Sequence, residues 1–124
     1  MRFLKLSFYI SNLFLFIFYL YPGSIFGCFL YNDCGVQPQL TRDFIIFSSN
    51  HVYVFIIFSL LGILSFKKDL KKISYYLFSV SLFLELMHII IPNRGFEVAD
   101  LLGNVLGVIL SLILYKLLSS RREK

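Results

Sequence analysis

Charge is scarce in this chain of 124 residues. Lys, Arg, Asp and Glu together make up 15%, where a soluble domain usually carries about a quarter. Tryptophan is absent, and there are only two cysteines. Basic residues do not interleave with aromatics, which argues against nucleic acid as a partner despite the net charge of +5. No HExxH or other tight metal-ligand spacing occurs, so no metal and no cofactor is assigned from motifs. What fills the chain instead is apolar: 58% hydrophobic residues, with 19% aromatic. A soluble fold of this length cannot bury that much apolar surface, because small domains leave a large share of their area exposed. Lipid is the natural solvent for the excess, and one domain, 1–124, is the sensible count.

Four apolar runs cover Leu6–Tyr21, Phe44–Phe66, Ile73–Pro92 and Leu101–Leu118. Each is close to the roughly 17–25 residues that cross a bilayer as a helix, the first once it is extended back to Phe3. They are continuously apolar rather than alternating, which favours helices over barrel strands. The predicted fold is therefore all-α: a four-transmembrane-helix bundle with helices over 3–21, 44–66, 73–92 and 101–118.

Basic residues orient it. Arg2 and Lys5 precede the first run, and only Arg42 lies in 23–43. Lys67, Lys68, Lys71 and Lys72 crowd 67–72, only Arg94 lies in 93–100, and Lys116, Arg121, Arg122 and Lys124 end the chain. The order is rich, poor, rich, poor, rich. By the positive-inside rule both termini and the 67–72 turn are cytoplasmic, and 23–43 and 93–100 face outward. The expected location is the inner (plasma) membrane. Tyr75 and Tyr76, beside the lysines, suit an interfacial anchor.

The first run, followed by Ile25-Phe26-Gly27-Cys28, also looks loosely like a lipoprotein signal. Phe26 is too bulky for that box and the run is long. Cleavage would leave an odd number of spans, so the run is read as a retained helix. Cys28 and Cys34 both fall in the outward segment. A disulfide and two free thiols are both open there.

Ionisable side chains inside a membrane are expensive and call for a reason. Here they are His51 in the second run, Glu85 and His88 in the third, and Asn104, as a polar companion, in the fourth, with Arg94 and Asp100 at the outer edge. On these boundaries His51 and Glu85 are seven residues from the outer ends of their helices, roughly 10 Å deep. All of them thus fall in the outer half. Glu85 and His88 are spaced to share a face, which Ser81 extends. Asp100, Asn104 and Gly107 share another, and Gly103 with Gly107 permits close helix packing. Facing one another, these residues would form a polar pocket open to the outside. Glu85, His88 and His51 could act there as a general acid–base set. Arg94 could grip a phosphate or carboxylate as a fork, beside Asp100 and Asn104. Two His and two carboxylates could also hold a divalent cation. The bland alternative is that Glu85 pairs with His88, Arg94 pairs with Asp100, and Asn104 glues helices, worth about 0.6–2 kcal/mol.

The run Glu85-Leu86-Met87-His88, then Pro92-Asn93-Arg94, then Asp100-Leu101-Leu102-Gly103-Asn104-Val105-Leu106-Gly107 resembles the VanZ-like family of small bacterial membrane proteins. That family typically has Glu with Gln three later, then Pro and Arg, then Asp with Asn four later and Gly three further. Glu85, Arg94, Asp100, Asn104 and Gly107 match, and His88 stands in the Gln position. His51 fits the family's His in the preceding helix. Phe47 and Ser48 stand where Asp-Lys is frequent, with Asn50 the nearby replacement. The match is strong over 81–110, moderate over 48–62 and only topological elsewhere. It implies a cell-envelope membrane protein of about four helices. The family name derives from a protein associated with resistance to teicoplanin, a glycopeptide antibiotic, but the resemblance carries no defined reaction. Two readings follow: a pocket for a polar or anionic headgroup, lipid or lipid-linked, with or without catalysis; or a non-enzymatic scaffold or partner subunit whose polar residues only lock the bundle. No oligomeric state is implied.

Overall fold

The computed structural model describes residues 2–123, so Lys124 of the basic C-terminal group lies outside them. The described residues form five α-helices: α1 (Arg2–Leu20), α2 (Ile25–Tyr31), α3 (Ser49–Ser65), α4 (Leu70–Met87) and α5 (Val98–Arg122), with a 3-10 turn at Lys67–Asp69. There is no strand among them, only an isolated bridge between Phe44 and Phe47. α1 and α5 are each long and apolar enough to cross a membrane; α3 and α4, bent by 99° at the 3-10 turn, add a third span if taken as one broken crossing.

α1 shows why lipid is needed. It buries Phe8, Leu15 and Tyr19, spaced seven and four apart on one face, and leaves Phe3, Leu6, Ile10, Leu13, Phe14 and Ile17 exposed. Exposed large apolars on that scale fit a lipid-facing surface. Beneath the buried face, Phe8 stacks on Phe58 with ring centroids 5.1 Å apart, and Phe55, Ile63, Leu77, Leu84 and Val108 complete the core.

α3 and α5 pack most intimately. A Cβ on Gly103 would lie 2.7 Å from the Ser48 carbonyl oxygen, and one on Gly107 would lie 2.6 Å from Phe55 Cβ. The small-residue pair read from the sequence therefore lets two backbones touch. Ser111 fastens the same seam by donating to the Ile56 carbonyl (3.1 Å).

The helix ends differ from expectation. α3 begins at Ser49, not at 44, because residues 44–47 close a tight turn: Phe44 N donates to Phe47 O and Phe47 N to Phe44 O, with Ile45 at φ 50°. Asp43 Oδ1 then accepts from Ser49 N and so satisfies the first free N–H of the helix, whose N-cap residue, Ser48, makes no side-chain cap bond. α4 ends at Met87 rather than Pro92. Ile89 and Ile90 form i→i−3 turn bonds, and proline disfavours helical backbone in the residue before it. Asn93, at φ 61°, completes the reversal. α5 runs beyond 101–118 at both ends.

Segment 23–43 holds α2, which the apolar count did not anticipate. Ser24 Oγ accepts from Gly27 N and caps it, and a disulfide joins Cys28, within α2, to Cys34 just past its end. Gly23 (φ +112°) makes the turn from α1, where a side chain would also meet the Cys34 carbonyl at 2.8 Å.

Candidate functional site

The polar residues from three separate sequence regions do meet, at the end of the bundle where α1 and α4 finish and α3 and α5 begin. His51 is the third residue of α3, Glu85 the third from the end of α4, and His88 the residue just past it. The site thus sits at helix ends, shallower than the two-turn depth expected from the apolar runs.

Asn104 organises one half. It is fully buried, and its Nδ2 donates to the Ser81 carbonyl (3.1 Å), which fixes the amide orientation and turns Oδ1 toward α1 and α3. That oxygen lies 2.8 Å from both Tyr19 Oη and His51 Nδ1, and Tyr19 Oη lies 2.8 Å from the same Nδ1. An amide oxygen carries no hydrogen. His51 Nδ1 must therefore hold a proton, because otherwise two lone pairs would face each other at 2.8 Å. The ring's other nitrogen, Nε2, lies 3.5 Å from Asp100 Oδ1.

His88 repeats this logic. Its Nε2 lies 2.8 Å from the Tyr19 carbonyl oxygen, again an acceptor only, so Nε2 carries the proton. Its Nδ1 lies 3.3 Å from Glu85 Oε2, and both side chains are buried. Glu85 Oε1 accepts from Glu97 N (3.1 Å), at the start of α5, while Oε2 has no hydrogen-bond partner among the described residues. Oε2 faces His88 Nδ1 without hydrogen-bond geometry, so that side of the carboxylate meets no donor among the described residues. Each histidine has one nitrogen locked as a donor and the other turned toward a carboxylate.

Tyr19 connects the two halves. Its hydroxyl serves His51 and Asn104, its carbonyl serves His88, its ring stacks on His88 (centroids 5.8 Å) and meets the His51 ring edge-on (5.1 Å). Sequence reasoning missed it. Three tyrosines lie in residues 9–21, and nothing in the spacing marks the one that turns inward.

Arg94 is not paired with Asp100. Its Nε and Nη2 donate to the carbonyls of Tyr21 (3.2 Å) and Phe18 (2.9 Å), where the end of α1 has unsatisfied acceptors and a negative dipole. This occupies one edge of the guanidinium and leaves the Nη1 side free of these bonds. Partial burial lowers its pKa from the ordinary arginine value, and the nearby acidic groups Tyr19, Glu85 and Asp100 oppose that. Asn50 is likewise engaged: it donates to the Pro38 carbonyl (2.6 Å) and accepts from Leu40 N (3.1 Å), pinning segment 23–43 to the start of α3.

A cavity of about 400 Å³ opens beside this cluster. Tyr19, His51, His88, Arg94, Glu97 and Asp100 line it, with Ser24 and Gln39 from segment 23–43 and Asn50 from the first turn of α3. Glu85 and Asn104 lie behind that wall and reach it through the histidines. A ring nitrogen of His51 and one oxygen each of Glu85 and Asp100 come within 4.8 Å of one another.

Comparison with curated proteins and with solved structures finds no match. The comparison with families does: the VanZ/LLP1 family matches residues 3–119, nearly the whole chain and all of the site. The apolar helices and this match together point to a membrane protein, and the chain belongs to the VanZ/LLP1 family.

Proposed function

We propose that the chain crosses the plasma membrane four times, with both termini cytoplasmic, and presents an outward-facing cavity that binds a polar or anionic headgroup of a lipid or lipid-linked molecule. The alternation of basic residues along the connections supports the orientation. The cavity itself carries the binding reading. It gathers a guanidinium, two imidazoles and three carboxylates (Asp43, Glu97 and Asp100) at the end of a bundle whose outer flank, on α1, is apolar. A headgroup with its tail along α1 would satisfy both surfaces. Arg94 and Asp100 would contact the headgroup. His51 and His88, each set beside a carboxylate, would supply acid–base chemistry if the ligand is turned over, with Glu85 acting through His88. Asn104 would hold the His51 ring in its tautomer.

The competing reading is a scaffold whose polar residues only lock the helices. The many internal hydrogen bonds of Asn104, Glu85 and Arg94 favour it. Native mass spectrometry of gently extracted protein separates the two. The pocket reading expects one lipid or lipid-linked molecule retained per chain and lost in Arg94→Ala at unchanged membrane levels. Extracted wild-type protein that holds no lipid, or an Arg94→Ala protein that holds it equally well, favours the scaffold.

A further inference from the structure

We propose that His51, Glu85 and Asp100 form a binding site for one divalent first-row transition cation. It deepens the cavity reading above, because the cation would sit in the cavity's inner wall and meet an anionic headgroup there.

The residues come from three helices, α3, α4 and α5, and no sequence spacing joins them. In space one ligating atom of each falls within 4.8 Å of the others. Nitrogen and oxygen ligands lie about 2.0–2.2 Å from such a metal, so pairs of ligands span up to about 4.2 Å. Three equally spaced ligands at that distance from the metal lie at most about 3.6 Å apart. His51 Nε2 and Asp100 Oδ1 already meet this at 3.5 Å, and rotation of the Glu85 carboxylate by up to about an ångström would close the triangle. Imidazole with carboxylates suits first-row divalent metals rather than soft ones.

Two further observations point to a ligand. Glu85 is fully buried, and its Oε2 has no hydrogen-bond partner among the described residues. Such an orphan carboxylate oxygen is costly in a low-dielectric interior. The second is the His51 ring. Asn104 and Tyr19 hold its Nδ1 as a donor, which leaves the Nε2 lone pair directed at Asp100 Oδ1, 3.5 Å away. Two lone-pair atoms facing each other need something positive between them. A metal-bound histidine is commonly arranged this way, its outer N–H donated to a fixed acceptor. Here the acceptor is itself fixed by the Ser81 carbonyl. Two carboxylates would neutralise a divalent charge, while Arg94 is turned toward the α1 carbonyls; His88 gives its proton to the Tyr19 carbonyl and sets only the lone pair of Nδ1, 3.3 Å away, against Glu85 Oε2. His51 and Asp100 line the cavity, so the open coordination positions would face it.

A shared proton in the His51–Asp100 couple is the alternative, and metal binding decides. The full chain is purified in detergent without a histidine tag, stripped with a chelator and titrated with Mn²⁺, followed by electron paramagnetic resonance. The expected result is one Mn²⁺ per chain with nitrogen modulation from an imidazole. Asp100→Asn and Glu85→Gln, which keep shape and remove charge, should each weaken binding by at least about 10–100-fold, the range known for less direct partners of a metal. His51→Gln should abolish the nitrogen modulation. Wild-type protein that binds no Mn²⁺, or binds it without nitrogen modulation, overturns the site even if every variant fails to fold. Binding unchanged in both carboxylate variants does so too. Failure of this proposal is distinct from failure of the cavity reading: lipid retained by protein indifferent to Mn²⁺ removes the cation alone, and Mn²⁺ bound without retained lipid removes the headgroup alone.

Discussion

His51 Nδ1 lies 2.8 Å from Asn104 Oδ1, and that single contact decides how the imidazole is used. Because the Asn104 amide is pinned by the Ser81 carbonyl, its oxygen can only face the ring, and the ring can only answer with a proton. Nε2 is then the nitrogen offered to Asp100 and the cavity. Asn104→Leu removes the acceptor and leaves Tyr19, His51 and the Ser81 carbonyl short of a partner. We expect a loss of about 1–3 kcal/mol and a mixture of His51 tautomers. Thermal unfolding in detergent reads the first, and imidazole ¹⁵N shifts read the second.

Tyr19→Phe tests the link from α1 into the site. It deletes only the hydroxyl and keeps the ring stacked on His88. The expected loss is smaller, about 0.6–2 kcal/mol, as for other polar contacts between membrane helices. The His88 signals should stay in place, since His88 bonds the Tyr19 backbone and not its side chain. A change at His88 as large as that at His51 would contradict this division.

The α3–α5 seam should be intolerant of size. Gly107→Ala places a methyl 2.6 Å from Phe55 Cβ and 2.9 Å from the Val52 carbonyl oxygen. Both are parts that cannot swing aside, so the helices must separate. Overpacking of this kind costs about 1–3 kcal/mol. Gly95→Ala, with nothing within 4 Å of its added carbon, should be close to neutral by the same thermal measurement.

Replacing Cys28 and Cys34 with serine removes the staple beside α2 but no bond to the inner site. Such a short loop is worth about 2 kcal/mol in the chain-entropy account. That loss should be local. Hydrogen exchange is expected to quicken over 24–36 while α3 and α5 keep their protection.

The sequence carried the faces better than the ends. Asp100, Asn104 and Gly107 announced themselves by four-then-three spacing, and Glu85 with His88 by three, because helical periodicity is local. The ends of α3 and α4 were not legible, since Phe44–Phe47 and Ile89–Ile91 are as apolar as the helices they adjoin; what ends those helices is turn geometry. α2 was hidden for the opposite reason, being seven residues long and held by a cap and a disulfide rather than by a periodic face. The pairing of Arg94 with the end of α1, and Tyr19 at the centre, depend on a helix some seventy residues away in the chain. No local pattern encodes a contact at that separation.

The central claim is a single polar site that opens to the outside of the cell, and sided labelling tests it most directly. In a Cys28→Ser, Cys34→Ser background, Gln39→Cys places a thiol on the cavity's exposed rim, and Lys71→Cys places one on the lysine-rich turn. With intact cells and a membrane-impermeant maleimide, position 39 should label at once and position 71 only after permeabilisation. Labelling of position 71 from outside, with position 39 silent until the membrane is opened, would contradict the account.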